Sequence, residues 1–300
     1  MSPDGSTVFV TGASSPGYVT LAYEASSGVK LWTRRYRGGG ASGLGVSPDG
    51  SAVFVTGSSY KGASSKRDYA TVAYEPSTGA ELWVSRYRGP GDRGDYAHAI
   101  GVSPDGSAVF VTGQSPAGSR SRVDYATAAY NASTGAELWE SRYNGPASGG
   151  DYAYALAVSP DGAEVFVTGR SATTLSRGHD YTTVAYDALT GAQSWVRRYA
   201  GSKEWDYSDS ARALTVSPDG SQVFVTGTSV GWTQSPNAVT VAYEAMNGTR
   251  LWARRYRGPS DSDRGNDIAV SPDGSRVFVT GASASPDSSM DYFTVAYATA

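Results

Sequence analysis

One four-residue sequence, Ser-Pro-Asp-Gly, occurs six times and constrains the fold of this chain more than any other feature. Its copies begin at Ser2, Ser47, Ser103, Ser159, Ser217 and Ser271. Successive copies lie 45 to 58 residues apart along the 300 residues. Self-similarity at this period is typical of propellers and solenoids. The chain is therefore built from one supersecondary unit that is used repeatedly.

Each repeat contains four short segments rich in Val, Phe, Tyr and Thr, which is the composition of β-strands. We name them strands a to d; in one repeat they end in AIGV (a) and then run AVFVTG, DYATAAY and ELWESRY. Ser-Pro-Asp-Gly joins a to b and Thr-Gly joins c to d, with Gly available for a positive φ. No segment has a helical period with caps. Four antiparallel strands per repeat predict an all-β fold, a β-propeller of four-stranded blades.

The chain contains six b and six c segments, but five a and five d segments. We predict one propeller domain over residues 1–300, with repeats at about 1–38, 39–90, 91–146, 147–202, 203–259 and 260–300. Six blades, or most of a seven-bladed ring, both agree with this count. Met1 stands where later repeats carry Val before Ser-Pro-Asp-Gly. We therefore expect that an upstream strand, with an export signal, is missing.

The composition of the chain excludes several classes of partner and of chemistry. The net charge is −3, whereas a nucleic-acid binder usually has a basic face, so no nucleic-acid partner is expected. No apolar run approaches the roughly 20 residues that a membrane span needs, so no span is expected. There is no cysteine, which excludes disulfides, thiolate zinc sites and a cysteine nucleophile.

Alternating strand direction gives each blade two different ends. The Ser-Pro-Asp-Gly and Thr-Gly turns lie together at one end, which we name the turn end. The b–c and d–a connections lie at the other, which we name the loop end. The turn end is almost identical in every repeat, whereas the loop end differs. Because binding residues are usually carried by variable loops on a rigid scaffold, we expect function at the loop end.

Residues that recur at the same position in most repeats are predicted to serve the blade. They include the strand-d tryptophans Trp32, Trp83, Trp139, Trp195 and Trp252, and the Arg-Tyr pairs that end at Tyr36, Tyr87, Tyr143, Tyr199 and Tyr256. Aspartates open strand a (Asp95, Asp151, Asp209, Asp263) and strand c (Asp68, Asp124, Asp180, Asp291). We expect them to accept backbone N–H groups. Calcium is the alternative for such carboxylates, and SDSDRGND at 260–267 is the densest candidate.

Positions that differ between repeats are the candidates for ligand contact. Four residues before the valine that precedes each later Ser-Pro-Asp-Gly stand Ser42, His98, Tyr154, Arg212 and Asn266. We expect this position near the mouth of the central channel, where the five side chains either form a polar ligand site or face water. Trp205 and Trp232 lie in loop-end connections, outside the repeat pattern. They are candidates for stacking on a sugar or a protein, or for plugging their own loops.

Motifs for catalysis are not apparent. His98 and His179 are the only histidines, and no His-x-x-x-His pattern occurs. There is no Gly-x-Ser-x-Gly elbow, Walker loop or dinucleotide fingerprint. Carboxylates are plentiful, but no spacing singles out a pair.

The repeat resembles bacterial β-propeller repeats of the YVTN and SBBP kind, through D-Y-A-x-A followed by V-S-P-D-G-x-x-V-F-V-T-G. The segment A-Y-x-x-x-T-G-x-x-x-W resembles the tryptophan-docking motif of quinoprotein (PQQ-like) repeats, matched for example by Thr78, Gly79 and Trp83. That resemblance implies joints between blades and an exported protein. Quinone-dependent catalysis is not expected, because the chain has six units rather than eight and lacks the cysteines of the vicinal disulfide.

Three functional readings follow from these patterns. The leading one is a non-enzymatic extracytoplasmic or secreted scaffold that binds a protein, glycan or small molecule at the loop end and needs no cofactor. The alternative is an enzyme at the channel mouth (a PQQ-like oxidoreductase, a hydrolase or a lyase) that uses His98, Tyr154, Arg212 and Asp267. The third is a truncated repeat fragment without independent activity.

Overall fold

A computed structural model shows that the chain is all-β. It describes residues 1–15, 17–60, 66–91, 93–118, 122–147, 149–174, 177–201, 208–230, 235–260, 262–286 and 289–299. Within these ranges there are 22 strands in six antiparallel sheets and no helix. It follows that these ranges hold no helix long and apolar enough to cross a membrane. The predicted blades are confirmed as these six sheets, which we number blades 1 to 6.

Two compact units divide the chain, Met1–Tyr143 and Asn144–Ala300. The first unit holds blades 1 to 3. Their strands are β1 (Thr7–Ser14), β2 (Gly17–Glu24) and β3 (Lys30–Arg37); β4 (Gly40–Val46), β5 (Val53–Tyr60), β6 (Arg67–Tyr74) and β7 (Glu81–Tyr87); and β8 (Tyr96–Val102), β9 (Ala108–Pro116), β10 (Val123–Asn131) and β11 (Glu137–Tyr143).

The second unit holds blades 4 to 6. Their strands are β12 (Asp151–Val158), β13 (Glu164–Thr174), β14 (Arg177–Asp187) and β15 (Gln193–Tyr199); β16 (Ser210–Val216), β17 (Gln222–Val230), β18 (Pro236–Glu244) and β19 (Arg250–Tyr256); and β20 (Asp263–Val270), β21 (Arg276–Ala284) and β22 (Met290–Ala298). Blade 1 has strands b to d and blade 6 has strands a to c. The predicted count of five a, six b, six c and five d strands is confirmed.

The Ser-Pro-Asp-Gly turns are closed by their own side chains. In blade 3 the Ser103 hydroxyl donates to the Asp105 carboxylate at 2.6 Å, and that carboxylate accepts the Ser107 backbone N–H at 3.0 Å. Gly106 has a φ of 73°, which glycine adopts without strain. Hydrogen bonds from Ser103 and Ser107 stabilise the charged form and lower the pKa of Asp105 to about 2.

Strands b and c form the buried centre of each complete blade. In blade 2, Val53, Phe54 and Val55 on β5 are wholly inaccessible to solvent. The hydroxyls of Thr56 and Thr71 pair across β5 and β6 at 3.0 Å, so that the buried polar atoms satisfy each other. Neighbouring blades of a unit then stack face to face, which places the core between sheets as well as within them.

Within each unit the strand-d tryptophans join a blade to the following one. The Trp83 indole N–H donates to the Ala132 carbonyl of blade 3 at 2.8 Å. Gly135 in the same turn has a φ of 72°, and a Cβ placed on it would lie 2.6 Å from the Trp83 ring. The ring therefore packs directly on the glycine backbone. Equivalent indole hydrogen bonds are made by Trp32, Trp195 and Trp252. For these four residues the predicted structural role is confirmed.

The Arg-Tyr pairs also join strands and blades. In blade 3, Arg142 donates to Ser115 on strand b at 2.7 Å and to Asp124 on strand c at 3.1 Å. It also donates to the hydroxyl of Tyr87 in blade 2 at 2.6 Å. Arg86 donates in the same way to Tyr36 at 2.7 Å. The hydrogen-bonding groups of these repeated residues are therefore engaged within and between blades, which leaves them unavailable for a ligand.

Candidate functional site

The variable position of strand a is the extra residue of a β-bulge in every blade that has this strand. The a–b pairing skips one residue on strand a each time, between Ala41 and Gly43 in blade 2 and between Ala97 and Ala99 in blade 3. The skipped residues are Ser42, His98, Tyr154, Arg212 and Asn266. A bulge re-aims a side chain away from the regular pleat, and bulges are common beside functional sites.

In the first unit the bulge positions are occupied by Ser42 and His98. Ser42 is exposed and His98 is half-buried. Burial lowers the pKa of His98, and a hydrogen bond with Gln114 opposes that change. His98 is therefore neutral at pH 7, a state suited to hydrogen bonding rather than to binding an anion.

Arg67 lines a cavity in the first unit. This cavity of about 450 Å³ is lined in part by Gly17, Gly38, Tyr60 and Arg67. The Arg67 guanidinium carbon lies 5.0 Å from the Tyr60 ring centre and 5.5 Å from the Tyr96 ring centre. Both distances are within the range of a cation–π contact, so two aromatic rings contact the arginine at the loop end of blades 2 and 3.

In the second unit Tyr154 and Arg212 belong to a larger group, which we name the Arg170 cluster: Tyr152, Tyr154, Arg170, His179 and Arg212. The Arg170 guanidinium carbon lies 4.6 Å from the Tyr152 ring centre and 6.0 Å from the Tyr154 ring centre. The Tyr152 and His179 rings are 6.1 Å apart. The cluster combines strands a, b and c of blade 4 with strand a of blade 5.

Burial and charge act in opposite directions within the Arg170 cluster. Burial raises the pKa of Tyr154, while the positive charges of Arg170 and Arg212 act to lower it. Burial lowers the pKa of His179, and the Arg170 charge lowers it further. Tyr154 and His179 are thus half-buried side chains that lie in the positive potential of the arginines.

The variable strand-a position indicates Tyr154 and Arg212 but not Tyr152 or Arg170, and His179 stands out in the sequence only as a potential metal ligand. The missing signal was available by comparing strands b and c between repeats in the same way as strand a. The residue after Thr-Gly on strand b is Arg170 in blade 4. At that position the other blades carry Ala13, Ser58, Gln114, Thr228 and Ala282.

Asn266 and Asp267 are exposed on β20. The Asp267 carboxylate accepts the backbone N–H of the adjacent Ile268 at 2.8 Å. His98 belongs to the first unit, whereas Tyr154, Arg212 and Asp267 belong to the second. A catalytic role for these four residues stays a prediction. Trp205 and Trp232, the two loop-end tryptophans, lie outside the described residues.

The aspartates that open strand a accept backbone N–H groups, as predicted. Asp95 accepts from Gly89 at 2.9 Å. Asp209 accepts from Gly201 at 2.7 Å and from Val230 at 2.8 Å. The same bond to a glycine is made by Asp151 and Asp263. Nowhere in the described ranges do three His, Asp or Glu side chains form a group that could hold a metal ion.

Comparison with known proteins places this architecture in a family. No curated protein matches the chain significantly. A model of the PQQ-like repeat kind, described as outer membrane protein assembly factor BamB, matches residues 68–287. The match spans more than two thirds of the 300 residues and includes all of blades 3, 4 and 5. The chain belongs to this BamB-type family of PQQ-like repeat proteins.

Proposed function

We propose that the protein is a non-catalytic binding scaffold that engages a partner protein through the loop end of its blades. The observation that carries the proposal is the bulge in strand a. It presents a different side chain in each of the five blades that have this strand, while the side chains that recur are engaged in turns and blade joints. Such a division is what a rigid scaffold with a variable binding surface requires.

The choice of a protein over a glycan or a small molecule rests on the family. Its description as an assembly factor favours protein partners and an extracytoplasmic location. The geometry adds exposed polar side chains at Ser42, Arg212 and Asn266, and aromatic side chains beside Arg67 and Arg170. Arginine and tyrosine are enriched where protein interfaces bind most strongly.

Site-specific photo-crosslinking tests the proposal. A crosslinking amino acid at Arg212 or Asn266 samples the loop end of blades 5 and 6. The same amino acid at Asp219 or Asp273 samples the turn end of the same two blades. All four residues are exposed, so accessibility is matched. In cells that produce the chain naturally, we expect a discrete crosslinked protein from the loop-end positions only. Crosslinking mainly from the turn end, or from neither end, would contradict the proposal.

A further inference from the structure

The Arg170 cluster concentrates unusual residues at one place. Arg170 occupies the only one of six equivalent strand-b positions that carries a charge. Its strand-a neighbour in the pairing is Tyr152; blade 3 also carries a tyrosine there, Tyr96, whereas blades 2, 5 and 6 carry Gly40, Ser210 and Arg264. Blade folding is satisfied by Ala, Ser, Thr or Gln at the strand-b position, so an arginine there is not required by the blade.

Stacking orients the Arg170 guanidinium. At 4.6 Å from the Tyr152 ring centre it is within the range of a cation–π contact. Tyr154 lies on the same guanidinium at 6.0 Å, and His179 packs on Tyr152. Because the aromatic contacts hold the planar group, less conformational entropy is lost when its N–H groups bind a ligand. The site is preorganised for a planar, bidentate acceptor.

The positive charge of the cluster lacks a counter-ion among the residues that the structure describes. Neither Arg170 nor Arg212 forms an ion pair there, and the Arg170 Nε is buried without a hydrogen-bond partner. The nearby carboxylates accept backbone N–H groups. Asp151 accepts from Gly145 at 2.8 Å, and Asp209 accepts from Gly201 and Val230. A half-buried guanidinium whose Nε is unsatisfied carries a desolvation cost, which an acceptor bound to the group would offset.

We propose that the Arg170 cluster binds a carboxylate, with Arg170 as the bidentate donor and Arg212 as the second positive charge. An acidic side chain of a partner protein, or a small organic acid, presents this group. The tyrosine rings of residues 152 and 154 form the walls against which the rest of the ligand packs. The inference rests on the proposed function, since it assigns a ligand class to one part of the loop end.

Calorimetric titration of the full chain tests this inference. The two probes are glutarate and an acetylated, amidated tetraglutamate peptide, measured at low and high salt. We expect binding that weakens as salt increases. Arg170→Gln should reduce affinity at least about tenfold, because it removes the charge-assisted donor pair. Gln is the natural residue at the equivalent position of blade 3, so this variant should fold; its urea midpoint verifies that.

Matched variants separate a site from general charge attraction. Arg212→Ser installs the bulge residue of blade 2 and should also weaken binding. Arg276→Gln removes the same charge from an exposed residue at the turn end and should leave affinity unchanged. Binding of the peptide alone identifies an acidic protein segment as the source, and equal binding of glutarate identifies a small organic acid.

Absence of binding by both probes would overturn the inference, as would equal affinity in Arg170→Gln and the unaltered protein. Equal losses of affinity in Arg170→Gln and Arg276→Gln would show that net charge alone attracts the probes, and would also overturn the inference. Inorganic phosphate is titrated as a third ligand; if it binds at the cluster while both carboxylates do not, the carboxylate assignment is overturned. If crosslinking at Asn266, which lies outside the cluster, persists while no carboxylate binds, the scaffold function stands and only the assigned ligand fails.

Discussion

The polar side chains of this protein fall into two groups, according to whether they bind other groups of the blades. Trp83, Arg142 and Asp209 each bind a backbone or side-chain group of their own or the adjoining blade. Arg170 and Arg212 form no ion pair with any described residue. Recurrence in the sequence therefore predicts stability effects, whereas difference between repeats predicts effects on binding.

Replacing Trp195 should destabilise the protein in two measurable steps. Trp195→Phe keeps a ring but loses the indole N–H that the Ala245 carbonyl accepts at 2.8 Å, at a cost of about 1–2 kcal/mol. Trp195→Ala also removes buried ring surface, at a cost of about 3–5 kcal/mol. Urea denaturation measures both. Leu189→Ala, at a side chain 86% exposed, should stay within about 0.5 kcal/mol of the unaltered protein. Equal stability of all three variants would contradict the role of Trp195 as a joint between blades.

Asp209→Ala should cost about 2–4 kcal/mol, because the Gly201 and Val230 N–H groups both lose their acceptor. Asp209→Asn keeps one carbonyl oxygen and should cost less. The free energy of unfolding of the two variants provides the comparison. If Asn were as destabilising as Ala, hydrogen bonding would not be the reason for this aspartate.

At the scale of elements, each blade differs at its two ends for a physical reason. The turns must reverse the chain within a few residues, so they need Gly at positive φ and Asp to bind nearby N–H groups. The strand-a bulge has no such requirement, because its extra residue is left out of the pairing. The turn end is therefore uniform, while the bulge accepts Ser, His, Tyr, Arg or Asn.

The docking turn can be tested with two equivalent glycines. Gly28 in blade 1 and Gly135 in blade 3 occupy equivalent positions of their c–d turns, with φ of 70° and 72°. A Cβ on Gly135 would lie 2.6 Å from Trp83, whereas one on Gly28 would have no atom within 4 Å. Both alanine variants should lose about 1 kcal/mol from backbone strain. Gly135→Ala should lose in addition the packing of Trp83, giving the larger drop in thermal midpoint. Equal drops would mean that strain alone acts.

The whole molecule carries two classes of carboxylate that respond oppositely to acid. Hydrogen bonds from neighbouring Ser side chains and backbone N–H groups lower the pKa of the turn aspartates. The pKa is lowered to about 2 at Asp4, Asp49, Asp105 and Asp273. It is also lowered at Asp161 and Asp219. Burial raises the pKa of a second class, Asp95, Asp124 and Asp209. Linkage makes each class a pH-dependent contribution to stability.

Stability should therefore fall between about pH 4 and pH 2. In this range the unfolded chain, with Asp near 3.9, binds protons that the folded turns do not. Above it, the buried aspartates bind protons first in the folded state, which adds stability as the pH falls towards 4. Urea midpoints from pH 7 to pH 2 test both parts. Asp273→Asn should reduce the loss below pH 4, and a midpoint that still rises towards pH 2 would contradict the assignment.

The amino-acid sequence by itself determined the repeat, the number of strands of each kind and the two turn types. These properties depend on residues close together in the chain: a Gly at positive φ, an Asp two residues from the N–H it binds, alternating apolar positions. The joint made by Trp83 and Gly135 was also predictable, because both residues recur at fixed offsets.

The tertiary structure decided what the variable positions do. The bulge that releases Tyr154 and Arg212 depends on pairing with the neighbouring strand, and one sequence does not show which residue the pairing skips. Tyr152, Arg170 and His179 lie on three different strands, and only the folded sheet brings their side chains together. Local chemistry fixes turns and strands, whereas a binding site arises from contacts between residues that are distant in the chain.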